Sequence, residues 1–433
     1  MKVEQMYTNC LAQEAYYIES EGKVAVIDPI RDIEIYINKA KENGHEIVYI
    51  FETHFHADFV SGHLDLAKKT GAKIIYGPQA NTGFDAYIAK DNETFKLGKL
   101  TITALHTPGH TLESTCYLLK DENGKDHSVF TGDTLFVGDV GRPDLLDGIM
   151  SSEELAGMMY DSLNNKIKVL SDDVIVYPGH GPGSACGKNL GKETFSTIGE
   201  QKAKNYALLA TSKEELIKEL TNGISPAPAY FFKDAGLNKQ GYASIDELRE
   251  RALRPLSVTD FESEIAKGAV IIDTRNPYDF ELGFIKGAIN IGLNGQFAIW
   301  AATLFDLSQR IILVCEEGKE KESVDRLART GFDQMYGYLE GGMPVWSKSR
   351  KEIDMIISIT PEEFALDYKY SEPLILDVRK ENEFNGGHFG KAQFFTLQDI
   401  PTKYNQLDKN ETYYIHCAGG YRSMIAASIL KSK

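Results

Sequence analysis

Cysteine is scarce in this chain of 433 residues. The chain contains five cysteines, which are Cys10, Cys116, Cys186, Cys315 and Cys417. Their number is odd and they are widely separated, which excludes the cysteine framework of small, disulfide-stabilised secreted domains. This usage is typical of a reducing compartment in which thiols stay free for chemistry, and it predicts a cytoplasmic protein.

Long apolar runs are also missing. No stretch of the sequence approaches the roughly 20 apolar residues that a membrane-spanning helix requires. Residues 1–10 contain no cationic segment followed by an apolar one, so no secretory signal is predicted. We therefore expect no membrane partner.

Positive charge is in deficit. The chain has 47 Lys and Arg against 63 Asp and Glu, which gives a net charge of −16. A surface of this sign repels nucleic acids and anionic membranes, although a local basic pocket can still bind a small anion. The remaining composition, with 42% hydrophobic and 25% charged residues, is that of an ordinary globular protein. The length suggests about three domains.

The first part of the chain alternates short β-rich runs with polar turns. A helical pattern over Ser61–Thr70 ends at Gly71, and two more follow over Gly199–Leu209 and Ser212–Leu220. Mixed strands and helices of this kind predict a layered α/β domain over residues 1–250. The β-rich runs are Val24–Ile27, Ile47–Phe51, Ile74–Tyr76, Leu100–Leu105, Val129–Phe130 and Val174–Tyr177.

The rest of the chain contains an internal repeat. Val270–Arg275 reappears as Leu374–Arg379, and Ile311–Cys315 reappears as Tyr413–Cys417. Each copy reads as strand, loop, helix and a strand that ends in cysteine, which predicts small α/β domains with parallel sheets. We place these domains at residues 255–350 and 357–433. The second copy ends soon after its cysteine, so we expect it to lack the final strand and turn of the first.

Four short segments carry metal-ligating side chains at the ends of β-rich runs. They are Thr53–Asp58, Thr107–His110, Thr131–Asp133 and Tyr177–Gly181. In this order they resemble the motifs of the metallo-β-lactamase superfamily, and the resemblance covers residues 1–250. It implies an αββα sandwich with a metal site where strands end. The alternative is that His54 and His56 merely cap a turn.

The residue after Asp58 decides between two kinds of metal chemistry. Hydrolases that hold two metals, such as glyoxalase II, resemble a His-x-His-x-Asp-His pattern whose last histidine serves the second metal. This chain has Phe59 there, and a phenyl ring cannot ligate a metal, so we expect a mononuclear site.

Persulfide dioxygenases of the metallo-β-lactamase fold hold one iron through two histidines and one aspartate. The resemblance implies one Fe(II) per chain, bound by His54, His110 and Asp133. Two imidazoles and a carboxylate leave open positions on Fe(II) for substrate and dioxygen. The side chains that would orient these ligands or bound water are His56, Asp58 and His180. Direct ligation by His56 stays an alternative.

Four residues near these motifs are predicted to meet the substrate. Arg142 looks like the arginine that related dioxygenases present to the carboxylate of glutathione, with a surface salt bridge as the alternative. Thr111 follows a predicted ligand, and Tyr177 precedes the last histidine motif. We assign both to substrate binding. Cys186 could accept sulfur near the iron, and the alternative is a buried inert thiol.

Cys417 opens the loop Cys417-Ala-Gly-Gly-Tyr-Arg422 between a strand and a helical run. Successive backbone N–H groups and a helix N-terminus favour a thiolate there. Arg422 can brace the loop and attract an anion. The pattern resembles the active loop of rhodaneses, which implies that Cys417 carries a persulfide.

The first copy departs from that pattern. Its loop reads Cys315-Glu-Glu-Gly-Lys-Glu320, and acidic neighbours raise the pKa of a thiol and repel sulfite or thiosulfate. We interpret this copy as a degenerate rhodanese with a spacer or docking role, in which Cys315 could keep weak reactivity.

The whole chain resembles CstB-type sulfide-detoxification proteins. The resemblance implies oxidation of a low-molecular-weight persulfide to sulfite, followed by sulfur transfer that gives thiosulfate. The implied partners are the persulfide, dioxygen and sulfite or thiosulfate, and we also predict a homo-oligomer. The sequence leaves two alternatives open: a glyoxalase II-like zinc thioester hydrolase, and a non-catalytic persulfide carrier or sensor.

Overall fold

The chain divides into two compact units. The first comprises Met1–Ile245 with Arg329–Gly331, and the second comprises Asp246–Ala328 with Phe332–Lys433. The computed structural model describes residues 1–146, 149–188, 190–224 and 226–433. In these residues, no helix has both the length and the apolar character needed to cross a membrane. The predicted bounds 255–350 and 357–433 stay predictions, because both ranges fall within the second unit.

Two sheets form the centre of the first unit. The first sheet contains β1 (Lys2–Thr8), β2 (Gln13–Ser20), β3 (Lys23–Ile27), β4 (Glu46–Phe51), β5 (Lys73–Tyr76) and β6 (Tyr87–Ile88), paired in that order. The second contains β7 (Thr94–Leu97), β8 (Leu100–His106), β9 (Thr115–Lys120), β10 (Asp126–Gly132), β11 (Ile175–Pro178) and β12 (Ser196–Thr197), also paired in chain order. Strands β3 to β6 are parallel, as are β10 and β11.

The helices that follow complete the layers. They are α1 (Glu34–Asn43), α2 (His63–Thr70), α3 (Ser152–Ser162), α4 (Ile198–Lys204), α5 (Tyr206–Leu209), α6 (Lys213–Thr221) and α7 (Tyr230–Gln240). The next helix, α8 (Ile245–Ala252), belongs to the second unit except for its first residue. Helix α2 ends where Gly71 adopts a left-handed conformation, as its sequence predicts. The predicted helix over Gly199–Leu209 is two helices, because the extended backbone of Asn205 separates them.

Apolar side chains fill two interiors in this unit. Between the sheets lie Phe51, Tyr117 and Phe130, with Tyr16 beside them. Between the second sheet and helices α3 and α6 lies another cluster that includes Met159 and Leu216. Two facing sheets with helices outside them confirm the predicted αββα sandwich.

The sandwich brings several polar loops to one edge. Asp28 follows β3, His54 follows β4, and Asp133 and His180 follow the parallel strands β10 and β11. His110 lies in the turn after β8, which runs antiparallel to β9 and therefore in the direction of β10. Strands that run in the same direction place the residues that follow them at the same end of their sheet. The side chains that follow β3 and β4 in the first sheet, and β8, β10 and β11 in the second, can therefore lie close together at this edge.

The second unit contains parallel sheets. One sheet has the order β13–β18–β17–β14–β16, and β15 pairs separately with β19. These strands are β13 (Pro255–Leu256), β14 (Val270–Asp273), β15 (Phe284–Ile285), β16 (Ile289–Asn290), β17 (Ile311–Val314), β18 (Met335–Leu339) and β19 (Ile353–Asp354). The helices among them are α9 (Val258–Ala266), α10 (Pro277–Glu281), α11 (Phe297–Leu304), α12 (Glu320–Arg329) and α13 (Gly342–Lys348).

The second copy of the repeat forms a smaller sheet with the order β21–β20–β22. Its strands are β20 (Leu374–Asp377), β21 (Ala392–Phe394) and β22 (Tyr413–His416). Its helices are α14 (Pro361–Tyr370), α15 (Glu381–Asn385), α16 (Ile400–Lys403) and α17 (Tyr421–Ser432). Within the described residues after 356, β22 has no strand on its outer side, the place that β18 takes beside β17.

An ion pair between an arginine and a buried aspartate recurs in both copies. The Arg275 guanidinium donates to both oxygens of Asp273 and to the carbonyl of Gly283 at 3.0 Å. Arg379 donates in the same way to Asp377 and to the carbonyl of Gly387 at 2.7 Å. The sequence repeat is therefore also a repeat of contacts, and it ties the end of the first strand of each copy to the following loop.

Replacing Asp273 by Asn should destabilise the second unit. The substitution preserves the shape of the side chain but leaves the buried Arg275 cation without its charge partner, which costs about 3 kcal/mol. Native-state hydrogen exchange of amides in the second unit measures the loss. The matched control is Glu352→Gln, because Glu352 pairs with Lys286 on an exposed surface and should cost less than about 0.5 kcal/mol. Equal losses in the two variants would contradict the stabilising role of the buried pair.

Candidate metal centre and reactive cysteine

Three buried side chains converge at the edge of the sandwich. The Nε2 atoms of His54 and His110 lie 3.9 and 3.5 Å from Oδ2 of Asp133. One ligand atom from each residue lies within 4.8 Å of the others. This arrangement brings together the three residues predicted as metal ligands.

Hydrogen bonds fix which atoms face the centre of this group. Nδ1 of His54 lies 2.9 Å from Oγ1 of Thr53, which donates its own proton to Asp28 and can therefore accept one from the imidazole. Nδ1 of His110 donates to the carbonyl of Arg142 at 2.8 Å. Both imidazoles thus carry a proton on Nδ1 and direct Nε2, the atom available to a metal, at the centre.

Two ligand atoms of the group have no hydrogen-bond partner in the described part of the chain. They are Nε2 of His110 and Oδ2 of Asp133, and both are buried. Burial and the neighbouring His56 hold the pKa of His54 well below its ordinary value, which keeps this imidazole neutral. Unpaired buried polar atoms are costly, and a cation removes that cost. The residues present therefore fit one divalent cation.

The second oxygen of Asp133 belongs to a buried chain of charges. Oδ1 of Asp133 accepts from Nδ1 of His180 at 2.8 Å, and Nε2 of His180 donates to Oδ2 of Asp58 at 2.8 Å. Burial alone would lower the pKa of His180, but the two carboxylates raise it well above its ordinary value. His180 is therefore an imidazolium that orients Asp133, and Asp58 orients His180.

His56 faces away from the three ligands. Its Nε2 lies 3.1 Å from Asp28 and 3.5 Å from Glu52, which form a separate buried group with it. Burial would lower the pKa of His56, but the two carboxylates raise it to about 10. A protonated imidazole has no lone pair for a metal, so this geometry does not support direct ligation by His56.

Phe59 fills the position where a dinuclear hydrolase would have a further histidine. The side chain is fully buried, and its ring centroid lies 4.4 Å from that of His56. The Asn238 side chain on α7 donates to the carbonyls of both residues at 2.7 Å and holds this turn. The turn is thus fixed with an apolar ring where a second metal would need a donor.

The residues predicted to bind substrate have other partners. The Arg142 guanidinium forms a two-pronged ion pair with Asp144 at 2.6 and 2.7 Å, and the Thr111 hydroxyl lies 2.7 Å from that of Ser114. The ring of Tyr177 stacks on Phe130 within the sandwich. These contacts favour structural roles, and the substrate contacts of all three residues stay predictions.

Cys186 lies beside the ligands but is poorly suited to nucleophilic chemistry. Its thiol forms a group with Asp58 and His180 and is only 1% exposed. Burial raises the pKa of Cys186 well above its ordinary value, and the carboxylates of Asp58 and Asp133 raise it further. Its predicted role as a sulfur acceptor is not favoured by this environment.

The surroundings of Cys417 lower the pKa of its thiol, whereas those of Cys186 raise the pKa. Its sulfur accepts backbone N–H groups from Gly420 at 3.2 Å and Ser423 at 3.4 Å, at the start of helix α17. Burial would raise the pKa of Cys417, but the hydroxyl and N–H of Ser423 and the loop N–H groups bring it below the ordinary value. Arg422 donates to both oxygens of Glu383 at 2.6 and 2.8 Å and ties the loop to helix α15.

Cys315 has lost these features. It is 6% exposed, and burial raises its pKa to about 12, with Glu320 adding to the effect. Its sulfur lies 3.5 Å from the hydroxyl of Ser323. Burial contributes more to the raised pKa of Cys315 than the acidic neighbours that the sequence indicated. A thiol with so high a pKa is poorly suited to even weak reactivity.

Thr53 and Asp28 are functional residues that the sequence did not single out. Thr53 is the first residue of the motif Thr53–Asp58, and Asp28 directly follows the predicted strand Val24–Ile27. The buried Asp28–Thr53–His54 chain can be found only from the pairing of β3 with β4. The close approach of Gly132 confirms how tightly it is packed, since a Cβ atom there would lie 2.4 Å from Oγ1 of Thr53.

Comparison with known proteins agrees with this architecture. The metallo-beta-lactamase superfamily model matches residues 8–180, and the rhodanese-like domain model matches residues 257–349 and 360–433. The crystal structure of a metallo-beta-lactamase from Staphylococcus aureus subsp. aureus COL is 31% identical, with a TM-score of 0.69. The alignment covers 78% of this chain and 98% of that one. The chain belongs to the metallo-beta-lactamase superfamily. Behind its metallo-beta-lactamase domain it carries two rhodanese-like domains, which confirms the predicted fold class.

Two further proteins resemble the metallo-beta-lactamase domain. A probable hydroxyacylglutathione hydrolase of Schizosaccharomyces pombe is 34% identical over 165 residues, which are 37% of this chain and 60% of that protein. The chain thus spans about three fifths of the length of this curated relative. The crystal structure of ETHE1 from Myxococcus xanthus is 27% identical, with a TM-score of 0.48 and coverage of 55% of this chain and 99% of that one.

Replacing Thr53 by Val should weaken metal binding by the metallo-beta-lactamase domain. Valine keeps the shape of threonine but removes the oxygen that orients His54, and loss of such a partner typically costs 10–100-fold in metal affinity, by order of magnitude. Competition with a chromophoric chelator measures the dissociation constant for Fe(II) or Co(II). The control is Thr101→Val, on β8, where the hydroxyl accepts only from Lys96 among the described residues. Unchanged affinity in Thr53→Val would contradict the assigned orientation of His54.

The cysteines of the two rhodanese-like domains should differ in alkylation. At pH 7 we expect Cys417 to react with iodoacetamide more than about tenfold faster than Cys315, because its pKa is lowered and its sulfur is less buried. Peptide mass spectrometry after timed quenching measures both rates. The control is the same reaction in urea, where the two thiols should react alike. Similar rates in the folded protein would show that the loop does not activate Cys417.

Proposed function

We propose that this protein oxidises a low-molecular-weight persulfide at one Fe(II) ion and transfers sulfur at Cys417, as CstB-type proteins do. The observation that carries the proposal is the donor set of two imidazoles and one carboxylate, with an apolar ring at the position of a further ligand. His54, His110 and Asp133 would hold the ion. Such a set is typical of iron oxygenases because it leaves several coordination positions open.

The charge of the site supports an anionic substrate. An imidazole bound to a metal carries no charge, and Asp133 contributes one negative charge, because the charge on His180 holds the pKa of Asp133 far below its ordinary value although burial opposes this. A divalent ion in this set would keep one net positive charge. A persulfide anion is therefore attracted, and Fe(II), when bound, supplies the positions at which its terminal sulfur and dioxygen meet.

The overall reaction balances without a further reductant. A persulfide RSSH, dioxygen and water give the thiol RSH, sulfite and two protons, so the terminal sulfur is oxidised and dioxygen is reduced. At Cys417, a persulfide on the cysteine can then pass its outer sulfur to sulfite. The sulfur–sulfur bond of the cysteine persulfide breaks, a new one forms in thiosulfate, and Cys417 returns as the thiolate. The lowered pKa of Cys417 makes it a good leaving group in this step.

A thioester hydrolase is the second candidate function. It is favoured by the similarity to a probable hydroxyacylglutathione hydrolase, which is confined to 37% of this chain. A dinuclear centre would need a donor at position 59, where the side chain is a buried phenylalanine. This candidate predicts two zinc ions per chain and activity without oxygen, so metal content and oxygen dependence separate the two functions.

Two substitutions test the proposal in the full chain loaded with Fe(II). Asp133→Ala should lose the metal and abolish oxygen uptake on glutathione persulfide, because it removes the only anionic ligand. Cys417→Ser should keep oxygen uptake and sulfite formation but lose thiosulfate formation. An oxygen electrode and chromatography of the sulfur products measure these outcomes.

The matched control is Cys315→Ser, which should leave both reactions unchanged because that thiol is buried. If the wild-type protein takes up no oxygen but hydrolyses a glutathione thioester, the hydrolase function is supported and the dioxygenase proposal is wrong. Persulfide loading on Cys417 without either activity would leave the protein as a sulfur carrier.

A further inference from the structure

Cys417 opens into a cavity of about 550 Å³ in the second unit. Its walls come from both rhodanese-like domains. The second supplies Cys417, Arg422 and Lys380, and the first supplies Asn294, Gln296 and Trp300. The volume lies in the range of sites for small organic molecules, and an anion as small as thiosulfate would leave most of it to water.

The wall from the first domain is held firmly in place. Tyr421, in the Cys417 loop, donates its hydroxyl proton to the carbonyl of Gly292 at 2.7 Å. Gly295 packs so closely on the same ring that a Cβ atom there would lie 2.6 Å from it. Ser428, further along α17, accepts the backbone N–H of Asn290 at 3.1 Å. Residues 292–296 are therefore a fixed part of the cavity around Cys417.

The polar groups on this wall are available to a ligand. Among the described residues, the side-chain amides of Asn294 and Gln296 form no hydrogen bond, and both side chains are exposed. The Trp300 ring adds an apolar surface beside them and is 8% exposed. Side-chain amides both donate and accept, so they complement peptide-like amides and carboxylates.

The cavity has little positive charge available to bind a small dianion. The Arg422 guanidinium is committed to Glu383 through two hydrogen bonds, which also lower the pKa of Glu383 to about 2. Lys380 is the remaining cation among the described residues that line the cavity. Charge alone therefore selects small dianions poorly, whereas size and free amides favour an organic molecule.

We propose that the first rhodanese-like domain, which has lost a reactive cysteine, binds the organic part of an amide-bearing thiol persulfide while Cys417 takes its sulfur. This inference rests on the proposed function and names the substrate class of its sulfur-transfer site. Asn294 and Gln296 bind the amide or carboxylate groups of the substrate. Trp300 packs against its apolar part.

The loading step is a balanced exchange. The Cys417 thiolate attacks the outer sulfur of RSSH, a sulfur–sulfur bond forms to Cys417, and the bond to the inner sulfur of the substrate breaks. The transferred sulfur gives up its proton to the departing thiolate RS⁻, so the products are the Cys417 persulfide anion and RSH. No oxidant or reductant is consumed. The free thiol then leaves the wall formed by the first domain.

The test compares two sulfur donors in the full chain. Glutathione persulfide carries peptide amides and carboxylates, and thiosulfate carries neither amide nor organic group. The double variant Asn294→Ala, Gln296→Ala should load Cys417 from glutathione persulfide roughly tenfold more slowly or worse, since it removes two hydrogen bonds. Loading from thiosulfate should be unchanged. Intact-protein mass spectrometry of single-turnover samples, with Cys417→Ser as the blank, measures both rates.

The control variant is Asn410→Ala, an exposed asparagine of the same unit that does not line the cavity. Equal slowing for both donors in the double variant, or no slowing for either, would overturn the inference. So would a wild-type protein that loads Cys417 from thiosulfate alone. Oxygen uptake by the Fe(II)-loaded protein is measured on the same samples. Its absence refutes the dioxygenase proposal, whereas donor selectivity at Cys417 depends only on this cavity.

Discussion

Asp133 divides its two carboxylate oxygens between different tasks, and the metal centre depends on this division. One oxygen accepts from the imidazolium of His180, which is itself fixed by Asp58. The other oxygen is buried, unpaired within the described residues and 3.5 Å from Nε2 of His110. A buried carboxylate with one unsatisfied oxygen is unfavourable until a cation completes it. The fold therefore carries a cost that ion binding relieves, so folding stability and metal affinity are coupled.

Two neighbouring histidines of one motif serve different purposes because their surroundings differ. His54 is neutral, oriented by Thr53 and directed at Asp133. His56 lies between the carboxylates of Asp28 and Glu52 and is held protonated. The same side chain is thus suited to metal binding in one position and is a buried cation two residues later. The placement of carboxylates around each imidazole makes the difference, and the histidine spacing alone does not.

The sequence predicted what local patterns determine. Each β-rich run of the first domain falls on a strand or overlaps one by at least two residues, and the segments after those strands converge as expected. It could not predict partners supplied by distant segments, such as Asp28 for Thr53. The stacking of the half-buried Tyr177 ring on Phe130 could not be read from the motif either, and its substrate contact stays a prediction. Side-chain direction at a strand end depends on packing that the motif does not contain.

The first rhodanese-like domain can support the second without a reactive cysteine of its own. The residues that pack against the second domain differ from those of the Cys315 loop. Helix α17 begins in the Cys417 loop and buries Met424, Ile425 and Ile429. Met424 packs into the apolar cluster of the first rhodanese-like domain, and the Ser428 hydroxyl accepts a hydrogen bond from strand β16 of that domain. A three-stranded sheet alone buries little apolar surface, so the loop that activates Cys417 depends on this support. Substitutions of the exposed loop residues 316–319 leave that support intact, whereas substitutions in the apolar cluster that holds Met424 would disturb the helix that begins in the Cys417 loop.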